Sequence, residues 1–513
     1  MIMGTIESSR QNSYKTSAQN YVDAIDNAIA AKMAKGEETT NGTFTIVDLN
    51  KAYTIETNGK IPTSGSVTIS NNKVSTYTFL EEGYAITGSK DGDTSVSKVS
   101  GDKIYQDTLL NGADPVLDYG MIPVTIDNDG TVHKADITQE WYNYTNKQWA
   151  NVVLVSSDVR DKYEKASKGT KLDQSKILAY LVWIPRYRYK LFNVNGAIIS
   201  PQSIEITFEN TNTTKSNGTQ NGEYLTHPGF TFGTNELNGF WFGKFELTGN
   251  TTTPTILPNT NSLRGQNVSS LWNTIRKFDS DVYGLISDSH MIMNKEWGAV
   301  TYLTQSKYGR CTDAGICTEV RRNNASDNYT GYSEVNVATS PWSLNGSTAT
   351  NQFDVHTNTS VTQPYNTAIG YLASTTGNIS GIYDMNGGTW EYAMGVYADS
   401  SNNLFSGHSK DANSGYNGLY GTGGSKTDGL SFPNFKYYQT YTDYNKIPNG
   451  DAIRETQSWY GDDPYLVYSI SPWLIKGGIF DYGTRAGIFS SGSIYGYEWG
   501  MYVSSRAVIA PGA

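Results

Sequence analysis

Between Gly36 and Thr43 the chain changes the spacing of its apolar residues, and with it the kind of element it can form. Before that point Tyr14, Ala18, Tyr21, Val22, Ile25, Ala28, Ile29 and Met33 recur at steps of three and four, which predicts one amphipathic helix over residues 6 to 35, stopped by Gly36. Such a helix would run about 45 Å, long for the start of a compact domain. From Thr43 the runs TFTIVDL, SVTIS and VSTYTFL alternate apolar and polar residues, the period of strands with one buried face. Asn71 and Asn72, between two of these runs, predict a hairpin turn. The expectation is an α+β start: one long helix packed on a small antiparallel sheet.

The 513 residues have room for two to four domains. Only 17% are charged, against 12% aromatic, with 37 Tyr and 51 Gly, so Asn, Thr, Ser, Gly and Tyr meet most of the water. The balance of 39 basic and 49 acidic residues, a net charge of −10, opposes a phosphate-binding surface and predicts no nucleic-acid partner. The longest apolar run, ILAYLVWIP from Ile177 to Pro185, is far short of the roughly 20 residues that cross a bilayer and reads as a buried strand.

Cys311 and Cys317 are the two cysteines, and the five residues between them suit a small disulfide-closed loop, with a reduced pair as the alternative. The disulfide would imply an oxidising, extracytoplasmic compartment. The histidines at 133, 227, 290, 356 and 408 form no ligand pair, and no metal or cofactor is predicted. Asp127-Asn128-Asp129-Gly130 lacks the other oxygen ligands of a calcium loop and predicts a hairpin turn. Beyond Trp141, Trp, Tyr and Gly become dense, with short strand-like runs between long polar loops. The resulting division is a helix at 1–36, a β-rich head at 37–135, a connector at 136–180 and a loop-rich domain at 181–513.

Two resemblances give these parts an identity. The stretch MGTIESSRQNSYKTSAQNYVDAIDNAI resembles the soluble half of a bacterial type IV pilin-like N-terminal helix. That implies assembly with other pilin subunits and a hydrophobic anchor upstream, of which Met1, Ile2 and Met3 would be the remnant. Further on, VWIPRYRY, GFWFGKFELT, MIMNKEWGAVTYL, GIYDMNGGTWEYAMG and the pair WLIKGG and SSRAVIAP follow one another in order. They resemble the blocks of the formylglycine-generating, sulfatase-modifying enzymes, which implies a C-type-lectin-like core. In that pattern Gly381, Tyr383, Asp384, Met385, Trp390, Glu391, Gly477, Gly478 and Arg506 are framework, with Tyr383, Met385, Trp390 and Tyr392 alternating as in a strand. Asp384, Glu391 and Arg506 are candidates for a satisfied polar network.

The enzymes of that family act through two cysteines, whose positions here are Tyr482 and Gly487, and the family's sulfoxide-synthase relatives need an H-x-x-x-H iron site that this sequence lacks. The expectation is therefore a non-catalytic protein with no catalytic residues, an enzyme of unknown chemistry or a purely structural minor pilin being the alternatives. No G-x-S-x-G motif occurs, and GTGGSKT from Gly421 reads as a plain loop.

Between the C-terminal glycines sit Phe480, Asp481, Tyr482, Thr484, Arg485, Ser490, Ser493, Tyr495, Tyr497, Glu498, Trp499 and Tyr502. Rigid aromatics with Ser and Arg make adaptable contact surfaces, and the interleaved charges argue for an exposed binding face over core. The block is also similar to the variable region of proteins diversified by diversity-generating retroelements, with Gly483, Ala486, Gly487, Phe489 and Arg506 in the frame. The ligand implied is a protein or glycan at a cell surface.

Overall fold

A computed structural model of the protein describes residues 2–57, 62, 64–81, 84–98, 111–192, 200–211, 214–216, 223–280, 282–326, 328–335, 338–344, 347–355, 362–400, 433–469, 471–494, 496 and 502–511. The chain divides into two units, Met1–Leu110 and Asn111–Ala513. The α+β class holds in both, and the sheets are mostly antiparallel.

In the first unit the helix spans Ile2–Ala34, its side chains described from residue 12 onward, and Gly36 follows it at φ 73°. Tyr14, Ala18, Tyr21, Val22, Ile25 and Ile29 are buried against Val67, Val74, Phe79 and Ile86 of the sheet. Met33 departs from the expected face: the buried cluster takes its last helical residue at Ile29, and one turn later Met33 is exposed. The sheet is a meander of five strands in chain order, Gly42–Thr45, Ser64–Ser70, Lys73–Glu81, Tyr84–Ser89 and Ser95–Lys98. Asn71 and Asn72 both take positive φ, 53° and 61°, as a tight hairpin turn needs. TFTIVDL is a strand for its first half only. The Thr45 hydroxyl accepts from the Asp48 amide at 3.1 Å and caps a short helix, Ile46–Ala52, so local capping wins over the alternating pattern.

The second unit is built on a seven-stranded antiparallel sheet. Its order is Asp288–Met291, Ala507–Ala510, Gly239–Gly243, Ile177–Pro185, Asn151–Val155, Met121–Ile126 and Val132–Lys134. Ile177–Pro185 lies at the centre and is buried along nearly its whole length, which explains its unbroken apolar reading. Residues 111–135, expected in the head, and 136–180, expected as a connector, instead supply strands of this sheet. The hairpin at Asp127–Gly130 joins two of them, with the Gly130 amide donating to the Asp127 carbonyl at 2.8 Å.

A second sheet runs Gln439–Tyr441, Trp390–Tyr397, Trp473–Gly477, Gly487–Ile494, with Val503–Ser505 pairing in parallel to Trp390–Tyr392. Val503–Ser505 belongs to this sheet and Ala507–Ala510 to the seven-stranded one, so Arg506 is the single residue at which the chain crosses from one to the other.

Candidate functional site

Block GIYDMNGGTWEYAMG is not a strand throughout. Its first part is irregular and buried, with Asp384 at φ 63°, and the strand begins only at Trp390. Tyr383, Met385 and Tyr392 are buried, whereas Trp390 is half-buried at the surface. The irregular part brings Gly388, φ 71°, so close to Glu246 that a Cβ there would lie 2.5 Å from its Oε1, which only glycine allows.

Beneath this surface lies a charged frame. The Arg506 guanidinium donates to both oxygens of Glu391, Nε to Oε2 at 2.9 Å and Nη2 to Oε1 at 2.5 Å, and its Nη1 donates to the Gly243 carbonyl at 2.8 Å. Asp384 accepts from Asn323 Nδ2 at 2.8 Å and from the Gly331 amide at 2.7 Å. Glu246 accepts from the Thr389 amide at 2.8 Å and from the Ser262 hydroxyl. All of these charged groups are buried. Burial, followed by the Asp384 and Glu391 charges, pushes the Glu246 carboxyl well above its usual range. Burial likewise raises Asp384 and Glu391, with Arg506 pulling the other way. These contacts tie the signature block to both sheets.

Over the frame, the chain from Gly478 to Ala486 folds into a compact loop. A Cβ on Gly478, φ 81°, would lie 2.5 Å from the Ala486 Cβ, so the two ends of the loop touch. The Phe480 amide donates to the Gly388 carbonyl at 3.0 Å, and Gly483–Arg485 form one 3-10 turn. This loop places Tyr482 edge-on to Trp390, ring centroids 5.4 Å apart, and Phe480 beside Tyr502 at 6.1 Å. The Arg485 guanidinium lies 4.0 Å over the Tyr482 ring, a cation–π contact at the protein surface. Burial and the Asp463 carboxylate push the Tyr482 hydroxyl up to about 12, so it stays a hydrogen-bond donor at neutral pH.

Of the residues expected on the binding face, Asp481, Thr484, Arg485 and Tyr502 are exposed, and Phe480, Tyr482 and Ser493 are half-buried. Ser490 is a correction. It points inward from strand Gly487–Ile494, fully buried, and its hydroxyl has no partner among the described residues. Tyr495, Tyr497, Glu498 and Trp499 lie outside the described residues. Tyr482 sits at the surface and Gly487 packs against the Asp462 carboxylate. Cys311 and Cys317 form a buried disulfide.

The sequence reading missed two further tyrosines. Segment 463–465 runs along the outer edge of strand Gly487–Ile494, where the Tyr465 amide donates to the Ser491 carbonyl at 3.0 Å. Tyr465 is 62% exposed and Tyr468 50%. Both belong to no recognisable block, and only the fold brings Tyr465 to this edge. Trp390 was legible as framework but not as surface, because an alternating pattern does not say which face is covered.

Compared with protein-family models and with curated proteins, the chain matches none.

Proposed function

We propose that this is a non-catalytic bacterial cell-surface recognition protein, in which a pilin-like first unit carries a C-type-lectin-like second unit that binds a protein or glycan ligand through its C-terminal face. The observation that carries the reading is the pairing of Trp390 with Tyr482 and of Phe480 with Tyr502 over the buried Glu391–Arg506 frame. Large aromatics held by a rigid base bury much area on contact and lose little conformational entropy doing so, the usual character of binding hot spots.

An extracytoplasmic setting is supported by the Cys311–Cys317 disulfide. No helix among the described residues is long and apolar enough to cross a membrane. A retroelement-diversified face is the finer form of the same reading, in which the exposed loop residues vary and the frame does not.

The test is saturable binding of the full chain to immobilised glycans, to intact bacteria and to host cells. Retention on one of these surfaces is the expected result. Absence of binding to all of them, with turnover of any sulfatase-type cysteine peptide, would move the assignment to the enzyme class.

A further inference from the structure

The second unit has another concave surface, formed by residues outside the C-terminal face. It is a cleft of about 370 Å³ whose floor includes Val124 and Asn151 of adjacent strands and whose side is Trp141. That volume is within the range of small-molecule sites, roughly 300–1,000 Å³.

The walls of the cleft are held by hydrogen bonds that leave its rim unused. Asn151 Nδ2 donates to the Trp149 and Ser380 carbonyls at 2.8 and 2.9 Å, and its Oδ1 accepts from the buried Lys244 ammonium at 3.0 Å. Asn143 and Gln148 exchange backbone hydrogen bonds of 2.7 and 2.8 Å around a tight turn that has Lys147 at φ 60°. From below, Asn378 and Ser380 donate to the Lys147 carbonyl at 2.9 and 3.0 Å. The Lys147 ammonium in turn donates to the Cys311 carbonyl at 2.8 Å, tying the turn to the disulfide loop. On this braced turn, the exposed amides of Asn146 and Gln148 face the cleft, as does Asn128 from the hairpin, and none of the three side chains has a hydrogen bond among the described residues.

We propose that this cleft is a binding site for a neutral oligosaccharide, with Trp141 as the stacking platform and Asn128, Asn146 and Gln148 reading ring hydroxyls. Each amide offers both donors and acceptors, as vicinal hydroxyls require. Trp141 is half-buried, held edge-to-face by Tyr142 with centroids 5.3 Å apart, and presents a large apolar body with a polar tip. Among the described residues Glu140 is the one charged residue lining the cleft and no cation lines it, so sulfated, phosphorylated and uronic sugars are disfavoured. Strand Met121–Ile126 pairs on one edge through Val124–Ile126 and on the other through Met121–Val124, which leaves only Thr125 and Ile126 open on the cleft edge, too short a stretch for a peptide to add as a strand. The site is independent of the C-terminal face.

The test uses the full chain with cellohexaose, maltohexaose, mannohexaose and chitohexaose as probes and a uronic hexamer as comparison, read by tryptophan fluorescence and calorimetry. Saturable binding of at least one neutral probe is expected, with Trp141→Ala weakening it on the order of tenfold or more. The double variant Asn146→Ala/Gln148→Ala, at exposed positions that leave the fold in place, should weaken it as well. Phe480→Ala/Tyr482→Ala should leave it unchanged. The proposal is overturned if no neutral probe binds at about 10 mM, a free energy near −3 kcal/mol. It is equally overturned if the uronic hexamer binds more tightly, or if both cleft variants bind like the wild type.

Discussion

Arg506, the single residue between strand Val503–Ser505 of one large sheet and strand Ala507–Ala510 of the other, holds Glu391 through two parallel hydrogen bonds. Glu391 follows Trp390 directly in one strand, so a side chain at the surface and one locked in the interior are fixed by the same stretch of backbone. The arrangement explains how an exposed aromatic face can be rigid without being part of the core.

Breaking this pair should be costly. Arg506→Met leaves Glu391, Asp384 and Glu246 buried with no guanidinium, and Glu391→Gln removes one partner. Loss of one member of a buried pair costs about 3–5 kcal/mol. The denaturant midpoint of the second unit should fall sharply in Arg506→Met and less in Glu391→Gln, which keeps one acceptor.

Ser490→Ala separates interior from surface in the C-terminal block. The hydroxyl is buried with no partner among the described residues, so its removal should be neutral or mildly stabilising, and ligand binding should not change. A Thr484→Ala substitution, on the exposed loop, should shift stability by no more than about 0.5 kcal/mol.

His290 gives the fold a pH dependence that can be isolated. Burial alone would lower its basicity, but Glu296 at 2.9 Å and Asp288 at 2.9 Å hold the imidazolium up to about 9. A folded pKa above the unfolded value means that the stabilisation is complete below about 6.5 and is lost as pH rises through about 9. The difference in unfolding free energy between wild type and His290→Gln should therefore shrink across that window. A constant difference from pH 6 to 9.5 would show that the imidazole is neutral in the folded state.

The disulfide closes a short loop, and the chain-entropy account assigns such a loop about 2 kcal/mol. Cys311→Ala/Cys317→Ala should lower the unfolding midpoint by that order. Because the Lys147 ammonium bonds the Cys311 carbonyl, the same variant should loosen the Asn143–Gln148 turn, seen as faster amide exchange there.

Much of the fold was legible where one physical signal acted alone. The period of Tyr14 to Ile29, the Asn71-Asn72 turn and the unbroken apolar run at Ile177–Pro185 each specify a local conformation. Sequence failed where distant contacts decide. Residues 111–180 looked like head and connector because short strands such as Met121–Ile126 become a sheet only through partners far along the chain. Ser490 looked like a surface serine because the block around it has the composition of a contact loop, while it lies in the buried part of strand Gly487–Ile494, which pairs with Trp473–Gly477. Tyr465, Tyr468 and the Trp141 cleft were invisible for the same reason.

The most direct test of the central claim is to measure surface retention and unfolding midpoint together for Phe480→Ala/Tyr482→Ala/Tyr502→Ala in the full chain. Binding to the surface recognised by the wild type should be lost while the midpoint moves by no more than about 1 kcal/mol equivalent. Binding that survives the triple substitution, or a midpoint that collapses with it, would show that these aromatics are not the contact surface of the protein.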